Sequence, residues 1–313
     1  MNNKPGYLFL QMAVFFFAMG CERIIDYPIP ADDLKVVINS IINTDSIIMV
    51  NVSKSIGILN PGKSPHIQNA TINLYENNTH AGLMSYKGNG FYSLDGFIPK
   101  SSAEYRVVLK NQDESEVEAT CIIPEPVPVI SVDTVLRLQD QDSYYKSYTY
   151  DIILTVQDPP GISNYYELNL FQKVIYGYMD TAYNVIPRAF YTDDPVLEYY
   201  RMGNNLFSLS LNLETDMYNA NAAYFSDKLL DGTKFTLKFS LEHWNMTGMY
   251  YICLRSLTKD YYSYIASLAA YSQADGNPFS ERVQVHTNIV NGLGIFGGYS
   301  TSKDSVFIKM DYF

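Results

Sequence analysis

Apolar and polar residues alternate along most of the chain after residue 33. Leu34, Val36 and Ile38 fall on one side of a strand, as do Ile48, Val50 and Val52. The same period of two recurs in Ala70, Ile72 and Leu74, in Tyr105, Val107 and Leu109, and in Val117, Ala119, Cys121 and Ile123. Alternation of this kind places every second side chain on one face of a pleated strand. Turn-forming residues separate the runs: GILNPGKSPH after the second, and Lys87-Gly88-Asn89-Gly90 before Phe91-Tyr92. About seven short strands at such spacing predict a β-sandwich over residues 34–125, of immunoglobulin-like or prealbumin-like kind. Pro124, Pro126 and Pro128 then alternate. Proline at every second position cannot lie in a central strand, so this stretch is an extended connector and the expected domain boundary.

Residues 126–313 begin again with strands and predict a second β-rich domain. Tyr150, Ile152, Leu154 and Val156 share one face, DPPGISN reverses the chain, and Tyr166, Leu168 and Leu170 return. From Gln172 to Asn205 the period fades and tyrosines accumulate. Alternation resumes at Phe207, Leu209, Leu211 and Leu213 and again at Phe235, Leu237, Phe239 and Leu241, and Met249 to Leu257 reads as a further strand. One segment has the helical period instead. Tyr261, Ile265, Leu268, Ala269 and Ser272 follow Thr258 as N-cap, with Asp260 in the first turn and Gly276 beyond the end. These signals predict one amphipathic helix at about 259–273. The tail predicts a strand through Val283 and Val285, a glycine-rich turn, and a last strand through Val306 and Ile308. The fold class is therefore mainly β.

The N-terminus changes where this fold must work. Lys4 precedes an apolar run from Tyr7 to Met19, broken only by Gln11, and Gly20 stands before Cys21. That is the plan of a secretory signal over residues 1–20, and the run is short for a membrane span. Ala18-Met19-Gly20-Cys21 resembles a bacterial lipobox, in which the cysteine is acylated and becomes the new N-terminus. A plain signal with an incidental cysteine is the alternative. Residues 21–33, with Pro28 and Pro30, form a lipidated tether. The expected place is the outer membrane, lipid-anchored and facing the cell surface. A formal charge of −11 repels nucleic acid and anionic lipid alike, so anchoring falls to the lipid. Cys121 and Cys253 lie in apolar runs and read as two buried thiols rather than a disulfide.

The tail carries a resemblance. Gly276-Asn277-Pro278-Phe279-Ser280-Glu281, Val283-Gln284-Val285, and Asn288 through Tyr299 with its glycines look like the signature of a lipoprotein family known as domain of unknown function 4249. Asp158-Pro159-Pro160-Gly161, Asn164-Tyr165-Tyr166, the tyrosine-rich helix and the lipobox match its layout too. The resemblance implies an outer-membrane accessory lipoprotein of TonB-dependent receptors. It supplies no catalytic or binding residues.

The chain offers few motifs that carry chemistry. His66, His80, His243 and His286 occupy no metal-ligand spacing. No nucleophile elbow, phosphate loop or dinucleotide fingerprint occurs. The pairs Asp140/Asp142 and Asp193/Asp194 read as solvated loop charges before calcium ligands. The chain is thus read as a non-enzyme without cofactor or metal. Asp-Ser/Thr-apolar triplets at Ser46, Thr134, Thr181 and Ser305 are similar to an acceptor motif for O-glycosylation of exported proteins.

The function expected is that of a surface lipoprotein serving as accessory binding component of a TonB-dependent nutrient uptake system. A structural or adhesive envelope protein is the rival. The candidate contact residues are Tyr176, Tyr178, Tyr183, Tyr191, Tyr199 and Tyr200, because a segment without strand or helix period cannot hide them all on one face. The opposing expectation is that the segment folds back as a lid, with Ile186 and Phe190 inward.

Overall fold

The structure, a computed structural model, describes residues 34–57, 62, 64–110, 116–140, 147–175, 183–197, 222–244, 248–274, 280–281 and 283–308. In chain order the first strands are β1 (Val36–Asn43), β2 (Met49–Lys54), β3 (Thr71–Glu76), β4 (Thr79–Leu83), β5 (Ser85–Gly88), β6 (Phe91–Ser93), β7 (Glu104–Lys110) and β8 (Val117–Ile122). After the proline connector come β9 (Val129–Asp140), β10 (Ser147–Gln157), β11 (Tyr165–Ile175), β12 (Tyr183–Arg188), β13 (Ala222–Ser226), β14 (Lys234–Trp244) and β15 (Gly248–Leu257). Helix α1 (Lys259–Ala274) and β16 (Leu293–Ile308) follow. The mainly β class and the helix predicted near 259–273 are both observed.

Local sequence chemistry accounts for the turns. The β5–β6 turn holds Asn89 at φ 50° and Gly90 at φ 79°, and the β3–β4 turn holds Asn77 at 48° and Asn78 at 64°. Two successive positive φ values match the right-handed twist of a hairpin, and Asn and Gly adopt them most readily.

One large sheet runs in the order β12-β11-β15-β16-β1-β2-β6-β5, with β13 pairing the other half of the β11 edge that β12 occupies. Two smaller sheets, β4-β3-β7-β8 and β14-β10-β9, complete the layers. The first small sheet closes a core with β1 and β2, built on Ile38, Val50, Ile72, Leu74, Tyr105 and Val107. The second closes a core with β11 and β15, built on Ile152, Leu154, Leu168, Phe225, Phe239 and Ile252. Strand β16 serves both. Phe296 enters the first core, while Ile308 enters the second and Val306 packs against it. The three residues are an even number of positions apart, so both cores lie on the same side of the large sheet.

The proline connector runs from β8 of the first core to β9 of the second. Leu34–Phe313 nevertheless form one compact unit. The reason is β16: residues 293–299 pair in parallel with β1, and residues 299–308 pair antiparallel with β15. Tyr299 is the handover, opposite Asn43 on one side and Leu257 on the other. The connector itself lies across this seam. Val127 is buried, its N–H donates to Ser256 Oγ at 3.3 Å, and its carbonyl accepts from Ser302 Oγ.

The tail departs from expectation in two places. The glycines of 292–298 are not simply a turn: after Asn291 and Gly292, the rest lie inside β16. Gly294 has φ 102°, and a Cβ there would sit 2.2 Å from the Ile38 carbonyl oxygen. Gly297 passes under α1, where a Cβ would meet Tyr261 Cβ at 2.8 Å. The glycines thus permit close approach on both sides of the strand. Val283 and Val285, in turn, are not in a strand. Their segment crosses α1 and finds partners other than a ladder. His286 N–H donates to Ser267 Oγ at 2.7 Å, and the Asn288 side chain bonds both Phe296 N–H (2.9 Å) and Phe296 carbonyl (2.8 Å).

The segment from Gln172 was expected to be irregular, yet β11 runs through Ile175 and pairs with β12. A polar pair hides the period. Gln172 is buried and its Oε1 accepts from Arg188 Nε at 2.6 Å, so a core-facing position carries no apolar residue.

Candidate functional site

Small sheets cover one side of the large sheet; among the described residues the other side carries α1 and is otherwise open. Thr258 starts the helix, its Oγ1 accepting from Tyr261 N–H at 3.3 Å and Gly298 N–H at 3.1 Å. Tyr261 and Ile265 then bury against Leu257 and Tyr224. Beside the helix, the open face forms a groove of about 380 Å³. Its floor comes from alternate residues of β15 (Tyr251, Cys253, Arg255) and β16 (Tyr299, Thr301, Lys303). Phe171 of β11 and Val185 of β12 make one wall, and Asn43 at the end of β1 with Asp45 and Ser46 of the following turn make the other.

The charges are organised by one buried acid. Glu167 faces Arg255 across the β11–β15 ladder. It accepts from Arg255 Nη1 and from Tyr224 Oη at 3.2 Å. Arg255 also lies over the Tyr299 ring, 4.4 Å from its centroid. Lys303 stands over Tyr251 in the same way, at 4.6 Å. Cation–ring contacts of this kind strengthen as water is removed. Burial alone would lower the Arg255 pKa, but the Glu167 charge outweighs it and holds the guanidinium charged. Burial raises the pKa of Tyr224 and Tyr299, reinforced at Tyr224 by Glu167. Cys253 is also pushed up by burial, against the pull of Lys303 and Arg255, and stays a thiol. Such a thiol is a poor nucleophile. The groove therefore offers fixed donors and aromatic surface rather than a reactive group.

A second polar cluster lies at the far end of β11. Carboxylate oxygens of Asp158, Asp227 and Asp231 fall within 4.8 Å of one another. Asp158 accepts from Tyr166 Oη and from Gly232 N–H at 2.8 Å. Asn164 N–H donates to Asp227, and Gly161 N–H to Asp231, each at 2.7 Å. Burial raises the Asp158 pKa, with Asp227 and Asp231 adding to it. A hard cation is the metal such oxygens would suit, although each carboxylate is already engaged by the protein.

The residues singled out from sequence are scattered. Cys21, Tyr176, Tyr178, Thr181, Tyr199 and Tyr200 lie outside the described residues, as do Asp142 and Phe207 through Leu213. Tyr183 opens β12. Tyr191 is 60 % exposed and its main chain pairs with Ser240 of β14. Phe190 beside it is buried on Phe239, with ring centroids 5.1 Å apart, and Leu197 is buried as well. The described part of this segment thus covers the second core and turns one tyrosine outward. Ser46, Thr134 and Ser305 are exposed, Ser46 at the groove wall. Asp194 is not a solvated loop charge. It is buried, accepting from Val196 N–H and Lys238 N–H, both at 2.9 Å. Cys121 and Cys253 are separate buried thiols, as predicted. Among the described residues no helix is long and apolar enough to cross a membrane.

Residues 22–305 match the family described as Domain of unknown function (DUF4249). The chain belongs to this family. The resemblance drawn from the tail is thereby shown, and Glu167, Arg255, Tyr299 and Lys303 all fall within the matched stretch of the DUF4249 protein. No curated protein matches the chain. One solved structure with similarity is that of a Corynebacterium diphtheriae protein named for a membrane anchor. It is 12 % identical with a TM-score of 0.21, over 73 % of this chain and 55 % of that one. The DUF4249 chain thus spans about half the length of that relative.

Sequence reasoning missed Glu167, Arg255 and Lys303. Their signal was opposite charge at the outward positions of apolar strands, but which strands are neighbours was not readable from spacing.

Proposed function

We propose that this DUF4249 protein is a lipid-anchored outer-membrane protein, held through Cys21, and is the accessory binding component of a TonB-dependent uptake system. The groove on the open sheet face is the ligand site in this reading. The observation that supports it is the pair of cations fixed over tyrosine rings on adjacent strands. Strand-borne groups of this kind are rigid, and preorganised donors beside aromatic surface favour ligand binding. The lipobox supports the anchor, which through acyl chains needs no basic patch on this acidic chain.

Two measurements test it. The Cys21→Ser variant is expected in the soluble fraction, and retention in the membrane overturns the anchor. The lipidated protein, captured from detergent-solubilised host membranes, is expected to bring a TonB-dependent receptor with it. Capture without any such receptor overturns the uptake role and favours a structural or adhesive one.

A further inference from the structure

The lining of the groove specifies more than a ligand site, and the next step rests on reading it as one. Lys303 Nζ forms no hydrogen bond or ion pair with the described residues; its contact is the Tyr251 ring. Arg255 spends Nη1 on Glu167 and its Nε is buried, which leaves Nη2, without a hydrogen bond within the described residues, as its donor toward the groove. The Glu167 charge is consumed by Arg255, and Lys303 is left on the floor without an ion pair among the described residues; the other carboxylate lining the groove, Asp45, stands on the β1 side. This is a cationic floor on a chain of formal charge −11. The opposite wall has different chemistry. Asn43, Asp45 and Ser46 are amide, carboxylate and hydroxyl, the usual partners of ligand hydroxyls. Across the floor from that wall, Phe171 and Val185 present apolar surface suited to a flat ring edge or face.

We infer that the groove takes a uronic acid unit of an acidic saccharide, its carboxylate at Lys303 and Arg255 and its hydroxyls toward Asn43, Asp45 and Ser46. A ligand with hydroxyls but no carboxylate leaves Lys303 without a partner. A ligand with carboxylates on both sides meets Asp45. A ring acid with hydroxyls on the far edge satisfies both walls. The volume of about 380 Å³ is at the small end for ligand pockets and admits a disaccharide-sized ligand.

Calorimetric titration of the full lipidated protein in detergent tests the inference, with digalacturonate as probe and the neutral digalactoside as comparison. Digalacturonate is expected to bind saturably and the neutral sugar about tenfold or more weakly, the size of one charge-assisted hydrogen bond. Lys303→Met is expected to remove that preference without lowering the melting temperature, because the side chain is exposed. Equal binding of both sugars, no binding of digalacturonate, or digalacturonate binding unchanged by Lys303→Met each overturns the inference. Receptor capture separates this from the uptake role. Capture with no digalacturonate binding removes the ligand class alone. Digalacturonate binding without capture removes the uptake role alone.

Discussion

Glu167 on β11 and Arg255 on β15 are register partners, and Arg255 Nη1 donates to both carboxylate oxygens at 3.2 and 3.1 Å. The acid is 3 % exposed, so its charge has no other large source of compensation. The pair also fixes Arg255 over Tyr299, and so sets the floor of the groove. Glu167→Gln keeps the shape and removes the charge, leaving a guanidinium unpaired in a half-dry site. Removing one partner of a buried pair costs about 3 kcal/mol or more. Urea unfolding should show a loss of that order, and Glu167→Gln with Arg255→Met should recover much of it. A loss below about 1 kcal/mol would mean the pair behaves as a surface one.

The strands of both sandwiches were legible because one side of each is dry and the other wet. Val117, Ala119, Cys121 and Ile123 are all buried, as their alternation predicts. Helix α1 was legible from Thr258 and its apolar period. What was not legible is the seam. Nothing in the spacing says that residues near 295 pair with residues near 39, since parallel pairing is set by long-range packing rather than by a turn. The glycines that permit it look like turn residues in isolation. The groove was hidden for the same reason, because it is assembled from the outward faces of strands far apart in sequence. Gln172 shows the converse case, where one buried glutamine, bonded to Arg188, erased the period of a real strand.

The seam can be tested at two glycines of nearly equal φ. Gly294 has φ 102° and Gly88 has φ 103°. A Cβ at Gly88 meets nothing within 4 Å, while one at Gly294 meets the Ile38 carbonyl at 2.2 Å. Gly88→Ala should cost about 1 kcal/mol from backbone strain alone. Gly294→Ala should cost clearly more, since β1 and β16 must also part. Equal losses in chemical denaturation would show that the seam tolerates a side chain.

The acid cluster at the end of β11 should give stability a pH dependence. The folded pKa of Asp158 is raised by burial and by its acidic neighbours. A carboxyl with a raised folded pKa stabilises the fold fully below its unfolded pKa of about 3.9. That contribution is lost as pH rises through the folded value. Asp158→Asn can keep both contacts, its oxygen accepting from Gly232 N–H and its amide donating to Tyr166 Oη. The variant should therefore gain stability relative to the native chain between about pH 4 and pH 7. Unfolding curves that stay parallel across this range would remove the assignment.

The tyrosine-rich segment separates into two functions at adjacent residues. Phe190 is 5 % exposed and packs on Phe239, whereas Tyr191 is 60 % exposed beside it. Both sit next to a fixed point, because Tyr191 N–H donates to the Ser240 carbonyl at 2.8 Å and Ser240 N–H returns the bond at 2.6 Å. That main-chain bridge survives either substitution, so the two side chains can be compared on one backbone. Phe190→Ala opens the second core and should cost about 3–5 kcal/mol. Tyr191→Ala should change stability by no more than about 0.5 kcal/mol. Exposed tyrosines contribute to protein contacts through a large rigid ring and a polar tip. If the segment is a contact surface, Tyr191→Ala weakens receptor capture while the melting temperature holds. If the segment is only a lid, capture follows Phe190→Ala through lost folding and is unaffected by Tyr191→Ala. Thermal unfolding and capture, measured on the same two variants, decide between a surface and a cover.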